Sequence, residues 1–153
     1  MLGGLARWLR MLGYETMYES DLNDNSLLLR SEENGAILLT RDEELYKRAK
    51  KRNIPSVLVL GDTEEVRLAQ LAKNLAITLE INMDSTRCPE CGGALHEVSR
   101  DEVSNSVPPT SLKLYDRFWK CTNQGCVKTY WIGSHWKRIR ETLERVRTIS
   151  MQE

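Results

Sequence analysis

At 153 residues, with 41% hydrophobic and 29% charged side chains, the chain is long enough for one ordinary domain or a small domain with an appended module. Its longest apolar runs, such as VLVL, fall far short of a membrane span, and no signal peptide is visible, so the expected location is cytoplasmic and no membrane partner is expected. The net charge is zero, but residues 1–86 carry 11 basic and 14 acidic side chains against 11 and 8 in residues 87–153, which makes the second part the better candidate for touching a polyanion.

The opening MLGGLARWLRMLG places Leu2, Leu5, Leu9 and Leu12 at helical spacing, with Gly13 as the stop signal. Met1 falls at the helix start, with no cap and no strand before it. YETMYE reads as a short strand. DLNDNSLLLRSEENG reads as a turn, a helix and a terminating Gly35. AILL is then a strand, DEELYKRAKKRN a helix, SVLVL a strand and TEEVRLAQLAKNL another helix. Strands alternating with helices imply an α/β fold with a mostly parallel sheet covered on both faces. The pattern changes around NMDSTRCPEC, and the first domain is expected to span residues 1–84.

Residues 85–136 are turn-rich, with hairpin-like pieces in GGALHEVS and VKTYWI and a flexible loop expected at RDEVSNSVPPTS. Residues 137–153 form a closing helix and tail, with Ser134 as the natural cap. The four cysteines Cys88, Cys91, Cys121 and Cys126 come as C-x2-C and C-x4-C, 29 residues apart. Two such knuckles supply four thiolates to a tetrahedral Zn²⁺, and a chain without secretion signals argues against disulfides. An all-cysteine site is closed, so this zinc is structural, and it stabilises a module too small to bury a sufficient core. His96 and His135 are spare. Trp119, Tyr130, Trp131 and Trp136 are interleaved with lysines, which suits stacked single-stranded bases; the same rings can equally pack the ribbon itself.

Carboxylates follow three strand ends: Asp21 and Asp24, then Asp42, Glu43 and Glu44, then Asp62. In a parallel sheet those ends share one edge, and clustered carboxylates there call for a divalent cation such as Mg²⁺ or Mn²⁺. The competing reading is local. Thr40 with Glu43, and Asp62 with Glu65, have capping-box spacing, and first-turn acids suit the helix dipole. Residue pattern alone leaves the two open. Arg7, Arg10 and Arg41 are candidate phosphate clamps, with surface ion pairing as the alternative.

MLGGLARWLRMLGYET, AILLTRDEEL, RCPECGGAL, VPP and FWKC…C…YWIGSHW, in this order over residues 1–136, resemble one family. It is the RNase domain found at the C-terminus of the Mut-seven exoribonuclease and as stand-alone prokaryotic proteins. The resemblance implies a PIN-like α/β domain followed by a zinc ribbon, and a Mg²⁺- or Mn²⁺-dependent ribonuclease acting on RNA. Asp24 and Asp42 match the family's acidic motifs; Asp21, Glu44 and Asp62 match less closely. It also implies that Thr40 and Glu43 make the cap while Asp42 points at the sheet edge. PIN-like proteins begin with a strand ending in a metal-binding aspartate, directly before the segment matching MLGGLARWLR. That strand is expected either upstream of Met1 or to be missing along with its carboxylate. The second case favours an RNA- or ribosome-associated binding protein with a degenerate, inactive nuclease core.

Overall fold

The structure, a computed structural model, describes residues 2–152. Met1, expected at the start of the first helix, and Glu153 lie outside the described residues. Helix α1 (Gly3–Met11) forms where the leucine spacing requires, and buries Leu5, Ala6 and Leu9 together with Arg10. It stops at Gly13, whose φ of +97° side-chain-bearing residues rarely adopt.

YETMYE, expected as a strand, forms none. Its groups bond elsewhere than in a ladder: the Thr16 carbonyl accepts from Arg10 Nε at 2.9 Å, and Tyr14 Oη accepts from the Thr78 backbone N–H at 3.0 Å.

Helix α2 (Asp24–Asn34) is capped by Asn23, whose side chain accepts from Ser26 N–H, and ends at Gly35 in the left-handed region. Strand β1 (Leu38–Thr40) then leads through α3 (Glu43–Lys51) to β2 (Ser56–Leu58) and α4 (Glu64–Leu75). The two strands are parallel, with Leu39 opposite Val57. Side-chain alternation directs Leu38 into a cluster with Leu28, Leu45, Ala49 and Ile54 under α2 and α3. Leu39 and Val57 face the other way, against Leu5, Leu9, Leu68 and Leu71 from α1 and α4. Both faces are thus covered by helices, which is the α/β arrangement the pattern predicts. Each fully buried leucine contributes about 1.5–3 kcal/mol.

The outer edge of β2 is closed by a side chain. Gln70 of α4 accepts from Leu60 N–H at 2.7 Å and donates to the Leu58 carbonyl at 2.9 Å, as a neighbouring strand would.

The second part is a three-stranded antiparallel sheet in the order β3 (Leu95–Val98), β4 (Phe118–Cys121), β5 (Thr129–Tyr130). RDEVSNSVPPTS is not a flexible loop. It carries a 3₁₀ turn (Asp101–Val103) and leads into α5 (Pro109–Leu114), and Val103 and Val107 are buried with Val98 and Phe118 in the ribbon's own apolar cluster. Proline at the first helical position starts α5, because its missing N–H is one that no helix would use there.

Helix α6 (Trp136–Ser150) returns to the first part, where Leu143 and Val146 enter the cluster formed by α1 and α4. Ser134 is not its cap. Backbone carbonyls of Gly133, Ser134 and His135 take the first N–H groups in tight turns, so no side-chain cap forms.

Candidate functional site

The four cysteines converge. Their Sγ atoms all lie within 4.8 Å of one another, with Cys88 and Cys126 at 3.8 Å and Cys91 and Cys121 at 3.4 Å. Thiolates around a tetrahedral zinc with bonds of about 2.3 Å stand about 3.8 Å apart, so this set fits such an ion closely. The four cysteines can hold a metal ion.

The knuckle geometry follows from local chemistry. Gly92 N–H bonds the Cys88 carbonyl at 2.7 Å and Cys88 N–H bonds the Gly93 carbonyl at 2.8 Å, closing a tight turn. Gly93 N–H points at Cys91 Sγ at 3.3 Å, and a Cβ on Gly93 would lie 3.1 Å from Cys121 Sγ, so only glycine fits comfortably. The Tyr130 hydroxyl lies 3.0 Å from Cys88 Sγ. Burial first, then the Cys88 thiol, pushes the phenol's pKa well above its ordinary range. The phenol therefore stays protonated, and a hydroxyl so placed can donate to a thiolate at Cys88.

The thiols differ among themselves. Burial opposes ionisation of Cys91, but Gly93 N–H, Asn123 and the neighbouring cysteines outweigh it and hold its pKa down at about 6. Burial, then the adjacent thiols, push Cys121 up to about 12 and raise Cys126 as well. The Cys91 thiolate forms readily while Cys121 and Cys126 resist ionising beside it, which is the electrostatic situation a divalent cation relieves. His96 and His135 are exposed and stand outside the cluster.

The acidic residues do not converge in the same way. Among the described residues, the four cysteines are the one group of three or more metal-ligating side chains within bonding reach of a common ion. Asp42 is the N-cap of α3: its Oδ1 accepts from Glu44 N–H at 2.9 Å and from Leu45 N–H at 3.2 Å. Thr40, expected as that cap, instead accepts from Asp42 N–H at 3.0 Å. The helix begins two residues later than a Thr40 cap requires, and Asp42 already satisfies orphan donors at its start. Both cap bonds use Oδ1, so the other carboxylate oxygen stays outside the cap. Asp62 is likewise not the cap of α4. Thr63 is, accepting from Val66 N–H at 3.2 Å, and it leaves Asp62 exposed one residue earlier.

Arg41 fixes this edge. Its Nη1 donates to the Val59 carbonyl at 3.3 Å and to the Gly61 carbonyl at 2.9 Å, lacing together the loops that carry Asp42 and Asp62. Through Nη1 it is a strap between these loops. Asp24 lies in the first turn of α2, 3.8 Å from Arg48, nearly two turns along α3 from Asp42. Asp21 sits exposed in the turn before α2, and Glu44 is an exposed partner of Lys47.

Sequence reasoning missed Glu64. Its carboxylate lies so close to Gly4 that a Cβ there would stand 1.6 Å from Oε1. Helix α1 has no acid in its first turn and no side-chain cap, and Glu64 brings negative charge to that positive end. With Trp8, Thr63, Glu65 and Thr142 it lines an open groove beside the edge. The glycine pair Gly3-Gly4 was the signal that something approaches closely.

The ribbon aromatics are committed to packing. Trp119 is buried beneath the Arg117 guanidinium, 4.9 Å from the ring centroid. Trp131 packs 6.3 Å from Phe118, Trp136 donates to the Trp131 carbonyl, and Tyr130 serves Cys88. Trp119 is withdrawn from solvent, while Tyr130, Trp131 and Trp136 stay half-buried.

A family model described as the Mut7-C RNAse domain matches residues 1–143. No curated protein and no solved structure matches the chain significantly.

Proposed function

Because the chain belongs to the Mut7-C RNAse domain family, we propose that it is a ribonuclease that hydrolyses RNA phosphodiester bonds with the help of Mg²⁺ or Mn²⁺. The family match over residues 1–143 is the observation that carries the reading. The structure is consistent with it in one respect: strand-end loops strapped by Arg41 bring Asp42 and Asp62 to the carboxyl edge of a parallel sheet, where α/β folds place their sites.

Asp42 and Asp62, with Asp24, Asp21 and Glu44 as further candidates, are the residues that would hold the ion. Carboxylate oxygens suit Mg²⁺ or Mn²⁺, and Mg²⁺ commonly takes one or two carboxylates and completes its shell with water and substrate phosphate. Among the described residues the edge offers no preformed three-carboxylate cage, so these side chains alone do not specify a fully liganded ion. When bound, such an ion supplies an activated water and stabilises the leaving oxygen. The chain's own contribution is positional: Asp42 is fixed by its cap bonds with one oxygen left over, and the Arg41 strap holds the neighbouring loop.

We assign zinc to the four cysteines, in a structural role, since a closed all-thiolate site leaves no position for substrate. RNA, single-stranded, is the proposed partner, and the cytoplasm the proposed location. No helix among the described residues is long and apolar enough to cross a membrane. A second reading, an RNA-binding protein with a degenerate nuclease core, is favoured by Asp42 serving as a cap and Asp24 and Glu44 pairing with cations.

Labelled single-stranded RNA incubated with Mn²⁺, with and without EDTA, separates the two. Asparagine caps as well as aspartate, so Asp42→Asn keeps α3 while removing the charge. Cleavage is expected with Mn²⁺ alone, falling on the order of 100-fold in Asp42→Asn. Cleavage indifferent to that substitution, or firm binding with no cleavage, removes the nuclease reading.

A further inference from the structure

Arg10 is a cation buried in the wrong company. Its side chain lies on the buried face of α1 with Leu5, Ala6 and Leu9, only 7% exposed, and it has no carboxylate partner among the described residues. Burying a guanidinium without a countercharge is costly unless every donor is met and negative charge lies near. Its acceptors are all carbonyls: Thr16 at 2.9 Å to Nε, and Pro89 at 3.1 Å and Glu90 at 3.4 Å to Nη1.

Two of these three carbonyls belong to the turn between Cys88 and Cys91. Gly92, the next residue, has φ +80°, and a Cβ on it would stand 3.0 Å from Arg10 Nε, so the guanidinium packs directly on the knuckle backbone. The same end of α1 is stitched to this segment elsewhere. Thr86 Oγ1 donates to the Met11 carbonyl at 2.7 Å, Arg87 N–H donates to the Arg10 carbonyl at 2.9 Å, and Arg7 pairs with Glu90.

Four thiolates around one divalent ion carry two net negative charges. A loaded centre therefore supplies the countercharge that Arg10 lacks, while an empty, disordered knuckle withdraws both that charge and two of its three acceptors. We propose that Arg10 is the positioning residue of the four-cysteine centre, holding the first knuckle in its ligating shape and tying metal occupancy to the seating of α1. Coupling of this kind is reciprocal: α1 docked with Arg10 in place strengthens metal binding as much as metal binding steadies α1.

The test uses the full chain loaded with zinc. Zinc affinity is measured by competition with a chromophoric chelator for the wild type, Arg10→Met, Arg10→Lys and Arg30→Met. Arg30 is an exposed partner of Glu19 and serves as the control for simple loss of a cation. Arg10→Met is expected to weaken zinc binding about 10- to 100-fold, the usual effect of removing a group that orients metal ligands. Arg10→Lys, whose single ammonium cannot span three carbonyls, recovers little of it, and Arg30→Met binds as the wild type does.

A merely structural role is separated by thermal unfolding. The gap between wild type and Arg10→Met should shrink when zinc is chelated, because the coupling then has nothing to act through. An affinity within twofold of wild type, or an equal gap with and without zinc, overturns the proposal. If Arg10→Met does not fold, hydrogen exchange on the wild type decides. Chelation should deprotect the α1 amides while those of α3 keep their protection, and unchanged α1 protection overturns it.

Discussion

The four-cysteine centre and the acidic edge are both built from ligand-type side chains brought to one place by turns, yet only the first is assembled. Two short knuckles aim four sulfurs inward, with Gly93 N–H and the Tyr130 hydroxyl turned towards them. At the edge, three of the acids have separate partners: Asp42 caps α3, Asp24 meets Arg48, and Glu44 meets Lys47. Thiolates have few other uses in a fold, so their convergence says metal. Carboxylates are equally good caps and ion-pair partners, so their presence near strand ends is satisfied many ways before an ion is needed.

The sharpest way to break this contrast is to remove the metal. Chelation, or Cys88→Ser, is expected to unfold the β3–β4–β5 ribbon, since structural zinc in such modules contributes on the order of 10 kcal/mol of folding energy. Loss of near-UV dichroism from Trp119 and Trp131 checks it. The α/β part has its own apolar support in two clusters and should fail differently. Leu71→Ala, at a fully buried position, is expected to cost about 2–5 kcal/mol in denaturant unfolding while the purified chain still retains its zinc. The smallest effect sharpens the edge: Asp42→Ala is expected to cost about 1 kcal/mol by loss of the cap, whereas Asp42→Asn should cost close to nothing. Equal losses in the two variants would show that the charge, not the cap, stabilises the fold.

Much of this molecule was legible in the residue pattern. Leucines at helical spacing gave α1 and α4, short apolar runs gave β1 and β2, and cysteine pairs gave the metal ligands, because each signal is local. What stayed hidden depended on distant partners or on close competitors. Two cap-competent residues, Thr40 and Asp42, flank Arg41 and two more adjoin at Asp62-Thr63, and only the winding of the helix selects among them. YETMYE has strand-like composition but no neighbour to pair with. The turn and helix start at 100–111 were masked by serines and prolines, while Val103 and Val107 were the anchoring signal. Arg10 reads as surface charge, since two of the three carbonyls that hold it lie 79 and 80 positions away.

Metal analysis of the purified, desalted full chain weighs the two centres against each other most directly. A single zinc per chain is expected, kept in Asp42→Asn and lost in Cys91→Ser, with no stoichiometric Mg²⁺ or Mn²⁺ alongside it. A chain without zinc, or one carrying a second stoichiometric ion that Asp42→Asn abolishes, would contradict the account.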